Sequence, residues 1–365
     1  MNQSTTTTTT MIQSLFTQTI NLIENKKKTY FSTIDSTFWQ SQKDLFPNDD
    51  VHIVRLTNSD VLFILKHHDS QHGIHIFYEF LVGEYVNLLH TFLPCFIYTF
   101  EIVESISPHS TDTLFTLNNV QYTPFNHMEK KDNLIQCLKT CSTNTSLALL
   151  QEYNGSTYST FHEYIQGNDF QELEIILFQI YVCLAYLDSS FAHNNLSYEN
   201  IQLYKMPPDQ FITFTYQQPL ESITVKSSYI VKIINYSKSF FYRDTSCNST
   251  TIASIFSNIH NHNNKSDNII DIPTTHNKSV DLLLAHQLQQ DRHLVSCPPI
   301  EYTGQCNDLA TDKRKNTVYT VLDFYLFLKC YLENNNKDHL FEKKTCQATL
   351  FVYLDDSERD LRVVT

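Results

Sequence analysis

The apolar positions fall into two periods, and those periods set out the elements. Leu173, Ile176, Leu177, Ile180, Leu184 and Leu187 recur at i, i+3, i+4 and i+7, which predicts a long helix over 171–190. Val318, Val321, Leu322, Tyr325, Leu328 and Leu332 predict a second helix over 317–332. Between Ile74 and Phe92, Phe77, Leu81, Tyr85, Leu88 and Phe92 form one stripe, and Ile76, Phe80 and Gly83 form another. A helix apolar on two faces is packed on both, not laid on a surface. Shorter helices are predicted at Thr160–Ile165 and over the run from Asp281 to Leu288, and Met11–Leu22 is a short apolar-periodic segment. β-rich runs predict strands at Val51–Arg55, Val61–Lys66, Phe96–Val103, Ser146–Tyr153, Ile201–Leu203 and Tyr229–Ile234, and a strand or buried extended tail at Ala348–Tyr353. The turn formers Thr57, Asn58, Ser59 and Asp60 join the first two strands.

Polar stretches separate these elements. Residues 1–10 are low-complexity and expected to be disordered. Residues 105–140 and the stretch from Pro207 to Ser227 read as insertions. Residues 243–278, rich in Asn, Ser, Thr and His, read as a mobile segment. Strands and helices mixed in this way predict an α+β protein.

Composition narrows the classes. At 365 residues, with 41% hydrophobic and 13% aromatic residues, the chain can build one large domain or two lobes. Its formal charge of -13 argues against nucleic-acid binding, which needs a basic surface. Nine cysteines at irregular spacing, with Cys137 and Cys141 the only close pair, read as reduced thiols and give no zinc pattern. The N-terminal residues lack a signal peptide's basic and apolar regions. The longest apolar run, Leu173–Leu187, contains Glu174 and Gln179 and is too short to span a bilayer. These features predict a cytoplasmic protein with no membrane partner.

Three short stretches carry candidate chemistry. His193 to Asn200 reads HNNLSYEN, Ile233 to Ser239 reads IINYSKS, and Asn277 to Leu284 reads NKSVDLLL. Lys66 closes the strand VLFILK, Glu79 lies early in the next helix, and Gln151-Glu152-Tyr153 ends the strand SLALLQEY. Taken singly, Lys66 and Glu79 are an ordinary strand-end cation and helix acid. Together, in this order, the stretches resemble the protein-kinase superfamily. Among its members they look most like the divergent serine/threonine kinases of large nucleo-cytoplasmic DNA viruses. The resemblance covers about Val51 to the C-terminus. It implies a bilobal fold: an extension over 1–45, a small antiparallel β lobe over 46–153, and a larger, mainly helical lobe over 154–365.

The resemblance also implies roles for particular residues. Lys66 would position ATP and pair with Glu79. Gln151, Glu152 and Tyr153 would line the adenine site. His193 would brace the catalytic loop, and Asp281 would hold its backbone. Asn200 matches one metal ligand. Asn235 stands where the family's other metal ligand is an Asp, and Asn195 stands where the catalytic base is an Asp. An Asn side chain is neutral and cannot accept a proton at pH 7. Mg²⁺ prefers carboxylate oxygen. Asn194 replaces the loop Arg, Ser237 replaces a Gly, and no glycine lies in 46–61. These substitutions imply weak ATP binding and a poorly held Mg²⁺. The expected function is a catalytically impaired pseudokinase that acts as a scaffold or regulatory partner of another protein. The alternative is an active atypical serine/threonine protein kinase in which Glu199 or Asp244 supplies the missing charge. A small-molecule phosphotransferase and an unrelated α/β or α+β protein are further readings.

Overall fold

A computed structural model describes residues 51–55, 62–68, 73–87, 93–106, 115–117, 120–124, 147–153, 158–167, 170–187, 190–217, 222–241, 279–294, 297–300 and 317–353. The expected disorder of 1–10, the Met11–Leu22 pattern, the Cys137–Cys141 pair, Asp244 and the 243–278 segment lie outside these residues. The chain divides into two compact units. The first comprises residues 1–87 and 97–156, and the second 88–96 and 157–365.

The first unit is a six-stranded antiparallel sheet with one helix against it. In chain order the strands are β1 (Val51–Arg55), β2 (Leu62–His68), β3 (Thr99–Ile106), β4 (Phe115–Leu117), β5 (Val120–Pro124) and β6 (Leu147–Tyr153). Their spatial order is β1-β2-β6-β3-β5-β4. β6 sits inside the sheet between β2 and β3, and its residues from Leu147 to Glu152 are buried. A run such as LALL suits that place, since both faces of the strand are covered. β2 continues past Lys66, because His67 and His68 still pair with Ala148 and Leu147. Within the polar 105–140 stretch, β4 and β5 add a hairpin to the sheet edge.

The helix α1 (Gly73–Asn87) buries Ile76, Phe77, Tyr78, Glu79 and Phe80 in succession, then Val82 and Val86. It lies close against β3. A Cβ added at Gly83 would stand 2.3 Å from Thr99 Oγ1 and 2.6 Å from Thr99 Cβ, so only glycine fits there. One turn on, the Asn87 carboxamide donates to the Thr99 carbonyl (2.5 Å) and accepts from the Thr99 N–H (3.0 Å). Thr99 borders a register shift in the β3–β6 ladder. Asn87 therefore supplies hydrogen bonds at the irregular point of the sheet.

The second unit is built on α3 (Leu173–Tyr186), buried at Leu173 and at every position from Ile175 to Leu184. The polar exception inside it is Gln179. Its Nε2 donates to Ser227 Oγ (3.1 Å) and the Tyr229 carbonyl (3.0 Å), and its Oε1 accepts from the Val231 N–H (3.3 Å). The amide is thus fully used, the condition for burying it without a large penalty. α5 (Val321–Asn334) packs against α3. It starts later than the sequence pattern predicts, because the Thr320–Asp323 capping box fixes its N-terminus. A matching box at Thr160–Glu163 starts the short α2 (Phe161–Gln166). α4 (Leu283–Gln290) follows a 3₁₀ turn at Val280–Leu282.

The strands β7 (Tyr158–Thr160), β9 (Ile201–Lys205) and β12 (Tyr229–Ile233) form a three-stranded antiparallel sheet. β8 (Phe191–Ala192) pairs with β13 (Phe240–Phe241). The stretch from Pro207 to Ser227 is a hairpin, β10 (Gln210–Gln217) and β11 (Ser222–Ser227), and β10 also pairs in parallel with β14 (Thr345–Tyr353). Ile212, Phe214 and Tyr216 alternate inward along β10. Phe96, expected at the start of a strand, instead bridges Ile233 in the second unit. Among the described residues, no helix is long and apolar enough to cross a membrane.

Candidate functional site

In the first unit, β2 and α1 bring two of the sequence's candidates together. Lys66 Nζ donates to Glu79 Oε2 at 2.7 Å, with the Lys side chain 18% exposed and the Glu side chain fully buried. Glu79 lies on the second turn of the helix, where α1 crosses β2. Opposite Ile64 of β2, Gln151 donates from Nε2 to Thr99 Oγ1 (3.3 Å). Glu152 closes on Tyr98 twice: its N–H donates to the Tyr98 carbonyl (2.8 Å), and its Oε2 accepts from the Tyr98 N–H (3.0 Å). Tyr153 ends β6 half-buried, opposite Leu62.

In the second unit, the loop after β8 is held by Asp281. Its Oδ2 accepts from the His193 N–H (2.6 Å) and its Oδ1 from the Asn194 N–H (2.8 Å). The residue is 2% exposed. Hydrogen bonds to a buried carboxylate are short and strong. His193 Nε2 lies 2.9 Å from the Ile234 carbonyl, which can only accept, so that nitrogen carries the proton. The Tyr236 ring stands edge-on to His193 (76° between planes) and donates its OH to the Ile233 carbonyl (3.0 Å). Burial, then the nearby Asp281 charge, pushes the Tyr181 phenol well above its ordinary range. Tyr181 donates that hydroxyl to the Asp281 carbonyl (2.8 Å). Asn194 and Asn235 both have positive φ, 59° and 67°. Asn tolerates that region better than other residues with a Cβ, so the amides at these positions suit the backbone.

The carboxamides of Asn235 and Asn200 form a chain that ends on the Asn195 backbone carbonyl. Ser237 Oγ donates to Asn235 Oδ1 (2.9 Å), and Asn235 Nδ2 donates to Asn200 Oδ1 (3.0 Å). Asn200 Nδ2 then donates to the Asn195 carbonyl (2.7 Å). The backbone carbonyl fixes the direction of the chain. It can only accept, so Asn200 must present its nitrogen there and its oxygen to Asn235. Asn235 must in turn present its nitrogen to Asn200 and its oxygen to Ser237.

That donor set does not fit a divalent cation. Mg²⁺ asks for oxygens, carboxylates first. Here the Asn200 oxygen already accepts a hydrogen bond, and the group facing it from Asn235 is an N–H donor. Among the described residues, no cluster of three or more His, Cys, Asp or Glu side chains is placed to hold a metal. A separate cavity of about 480 Å³ in the second unit is lined by Glu172, Lys205, Ser228 and Lys344, among others, and by none of the residues above. Reading the sequence missed two participants. Ser237 registers there only as a lost glycine, and Tyr236 as a neighbour of Asn235. Their placement after a buried strand is the signal that marks them.

The Lys66–Glu79 pair in the first unit and the His-to-Asn loop held by Asp281 in the second are contacts that the resemblance to protein kinases implies, in a protein of mixed helix and strand. No family model matches the chain, and no curated protein matches it. Among solved structures it is similar to the BubR1 kinase domain, at 11% identity over 80% of this chain and 78% of that one, with a TM-score of 0.35. It is also similar to PK-1, the kinase of Cydia pomonella granulovirus, at 12% identity over 62% of this chain and 57% of that one, with a TM-score of 0.32. A further crystallised kinase domain matches at 13% identity over 53% of this chain, with a TM-score of 0.30, and the chain spans about half (48%) of its length. At these identities and TM-scores, the reading of the site rests on this chain's own residues.

Proposed function

We propose that the protein is a catalytically impaired kinase homologue, a pseudokinase that acts as a scaffold or regulatory partner of another protein in the cytoplasm. The observation that carries this reading is the chain of neutral groups in which the Asn235 amide donates to Asn200 and the Asn200 amide to the Asn195 backbone carbonyl, with no carboxylate in it. Phosphoryl transfer depends on positioning and on electrostatic stabilisation of the phosphates. A carboxylate at 195 would handle the attacking hydroxyl, and one at 235 would bring charge to the phosphates. Each replacement by Asn removes on the order of 10²–10³ in rate, and the two losses do not simply add. The Lys66–Glu79 pair and the Asp281 brace keep the frame, which is what a binding role requires.

That same intact frame favours a second reading, an active atypical serine/threonine protein kinase. Its missing charge would have to come from Glu199, exposed on the 3₁₀ turn at Tyr198–Asn200, or from Asp244. Under the leading reading Lys66 still offers a cation to phosphate, so ATP binds weakly and without help from Mg²⁺. Calorimetric titration of ATP, once in EDTA and once with Mg²⁺, tests this. Weak or undetectable binding, equal in both, is expected. Tight binding that requires Mg²⁺ would favour the active kinase.

A further inference from the structure

Asn200 and Asn235 do more than lack charge. They satisfy each other. In a site that takes a divalent cation, two ligand oxygens face one another and the cation lies between them. Here one of the two facing atoms is a nitrogen that brings its own hydrogen. The Asn235 N–H fills the acceptor site on Asn200 Oδ1 that a cation would fill, at 3.0 Å. The bond direction is not arbitrary, because the Asn195 carbonyl fixes one end and the Ser237 hydroxyl fits the other. Asn235 is further held by its backbone, with φ 67° and ψ 71°, between the Ile234 carbonyl that His193 grips and the 3₁₀ turn at Tyr236–Lys238.

We propose that the Asn235 carboxamide is a built-in replacement for a divalent cation. It holds loop 193–200 and segment 235–239 in one arrangement without metal, and Ser237 is the positioning residue that sets its orientation. This rests on reading 200 and 235 as the two metal positions of a kinase-like site. It also extends that reading, since a partner would meet the same loop surface whatever the Mg²⁺ or nucleotide level. The arrangement is one atom from the opposite behaviour. In Asn235→Asp the nitrogen becomes a carboxylate oxygen, about 3 Å from Asn200 Oδ1. Two acceptors then face each other, and a cation is needed between them.

The test uses the full chain without nucleotide. Thermal unfolding is followed in EDTA and through Mg²⁺ and Mn²⁺ titrations, for the wild type, Asn235→Asp, Ser237→Ala and Ser237→Thr. In EDTA, Asn235→Asp is expected to melt several degrees below the wild type, roughly 3–8 °C, and to regain that loss saturably with Mg²⁺. Ser237→Ala should shift the Asn235 side-chain NH₂ resonances in ¹⁵N spectra, and Ser237→Thr, which keeps the hydroxyl, should restore them. If Asn235→Asp does not fold in EDTA, the wild type decides alone: stoichiometric Mn²⁺ should leave the Asn200 and Asn235 side-chain NH₂ signals unbroadened. Broadening of those signals, or a folded Asn235→Asp with wild-type melting and no cation dependence, would overturn the proposal. Neither result bears on whether the protein transfers phosphate, which is measured separately.

Discussion

Replacing Asp281 should be the most damaging single change near the loop. Its carboxylate accepts from two backbone N–H groups, at 2.6 Å and 2.8 Å, and the residue is 2% exposed. Hydrogen bonds to a charged group contribute about 1.5–3 kcal/mol each. Asp281→Ala removes both acceptors at a buried place where water enters poorly, a loss of about 3–6 kcal/mol. Asp281→Asn keeps one oxygen but turns a nitrogen towards the other N–H, so about half the loss is expected. A unit of this size loses roughly 2–4 °C in Tm per kcal/mol. Asp281→Ala should therefore melt roughly 6–24 °C below the wild type, with Asp281→Asn between them. Far-UV circular dichroism during heating, backed by urea titration, measures both. Asp281→Ala within about 1 kcal/mol of the wild type would show that the carboxylate does not hold the loop.

Other changes carry distinct expectations. Lys66→Met removes the ammonium 2.7 Å from the fully buried Glu79 carboxylate and should cost about 3–5 kcal/mol in denaturant titration. The double variant Lys66→Met/Glu79→Leu should recover most of that. Gly83→Ala forces a Cβ to within 2.3 Å of Thr99 Oγ1, so it should destabilise the first unit by about 1–3 kcal/mol or more, and Thr99→Gly in the same chain should relieve it. Burial pushes the Cys297 thiol up to about 12, so at pH 8 it stays protonated. Iodoacetamide at pH 8 should therefore label the exposed Cys330 and Cys346 well ahead of Cys297, whose rate should climb only as the pH approaches 12.

Local pattern made some elements readable. β1 is a short run rich in β-branched residues, and α3 carries an uninterrupted apolar period, so both are set by neighbours in the chain. The β10–β11 hairpin was not read, although Ile212, Phe214 and Tyr216 alternate within it. Pro207 and Pro208 look like the opening of a loop, and the third strand of that sheet, β14, lies more than a hundred residues downstream. The same distance effect governs the site. Sequence places Lys66 on a strand and Asp281 at a helix start. Their meeting with Glu79, His193 and Asn194 spans 13 to 88 residues and enters the sequence reading only through resemblance. The amide chain was not readable at all. An Asn in a motif shows the loss of an acid, but which way its carboxamide points depends on the Asn195 carbonyl and the Ser237 hydroxyl around it.

A pseudokinase of the kind proposed would not transfer phosphate. The most direct measurement is radiolabel transfer from ATP, with Mg²⁺ or Mn²⁺, to generic protein substrates and to the chain itself. The wild type is compared with Lys66→Ala and with Asn195→Asp/Asn235→Asp. No incorporation by the wild type above the Lys66→Ala background is expected, and at most traces from the double variant. Robust transfer by the wild type that disappears in Lys66→Ala would contradict the pseudokinase reading and establish an active atypical kinase.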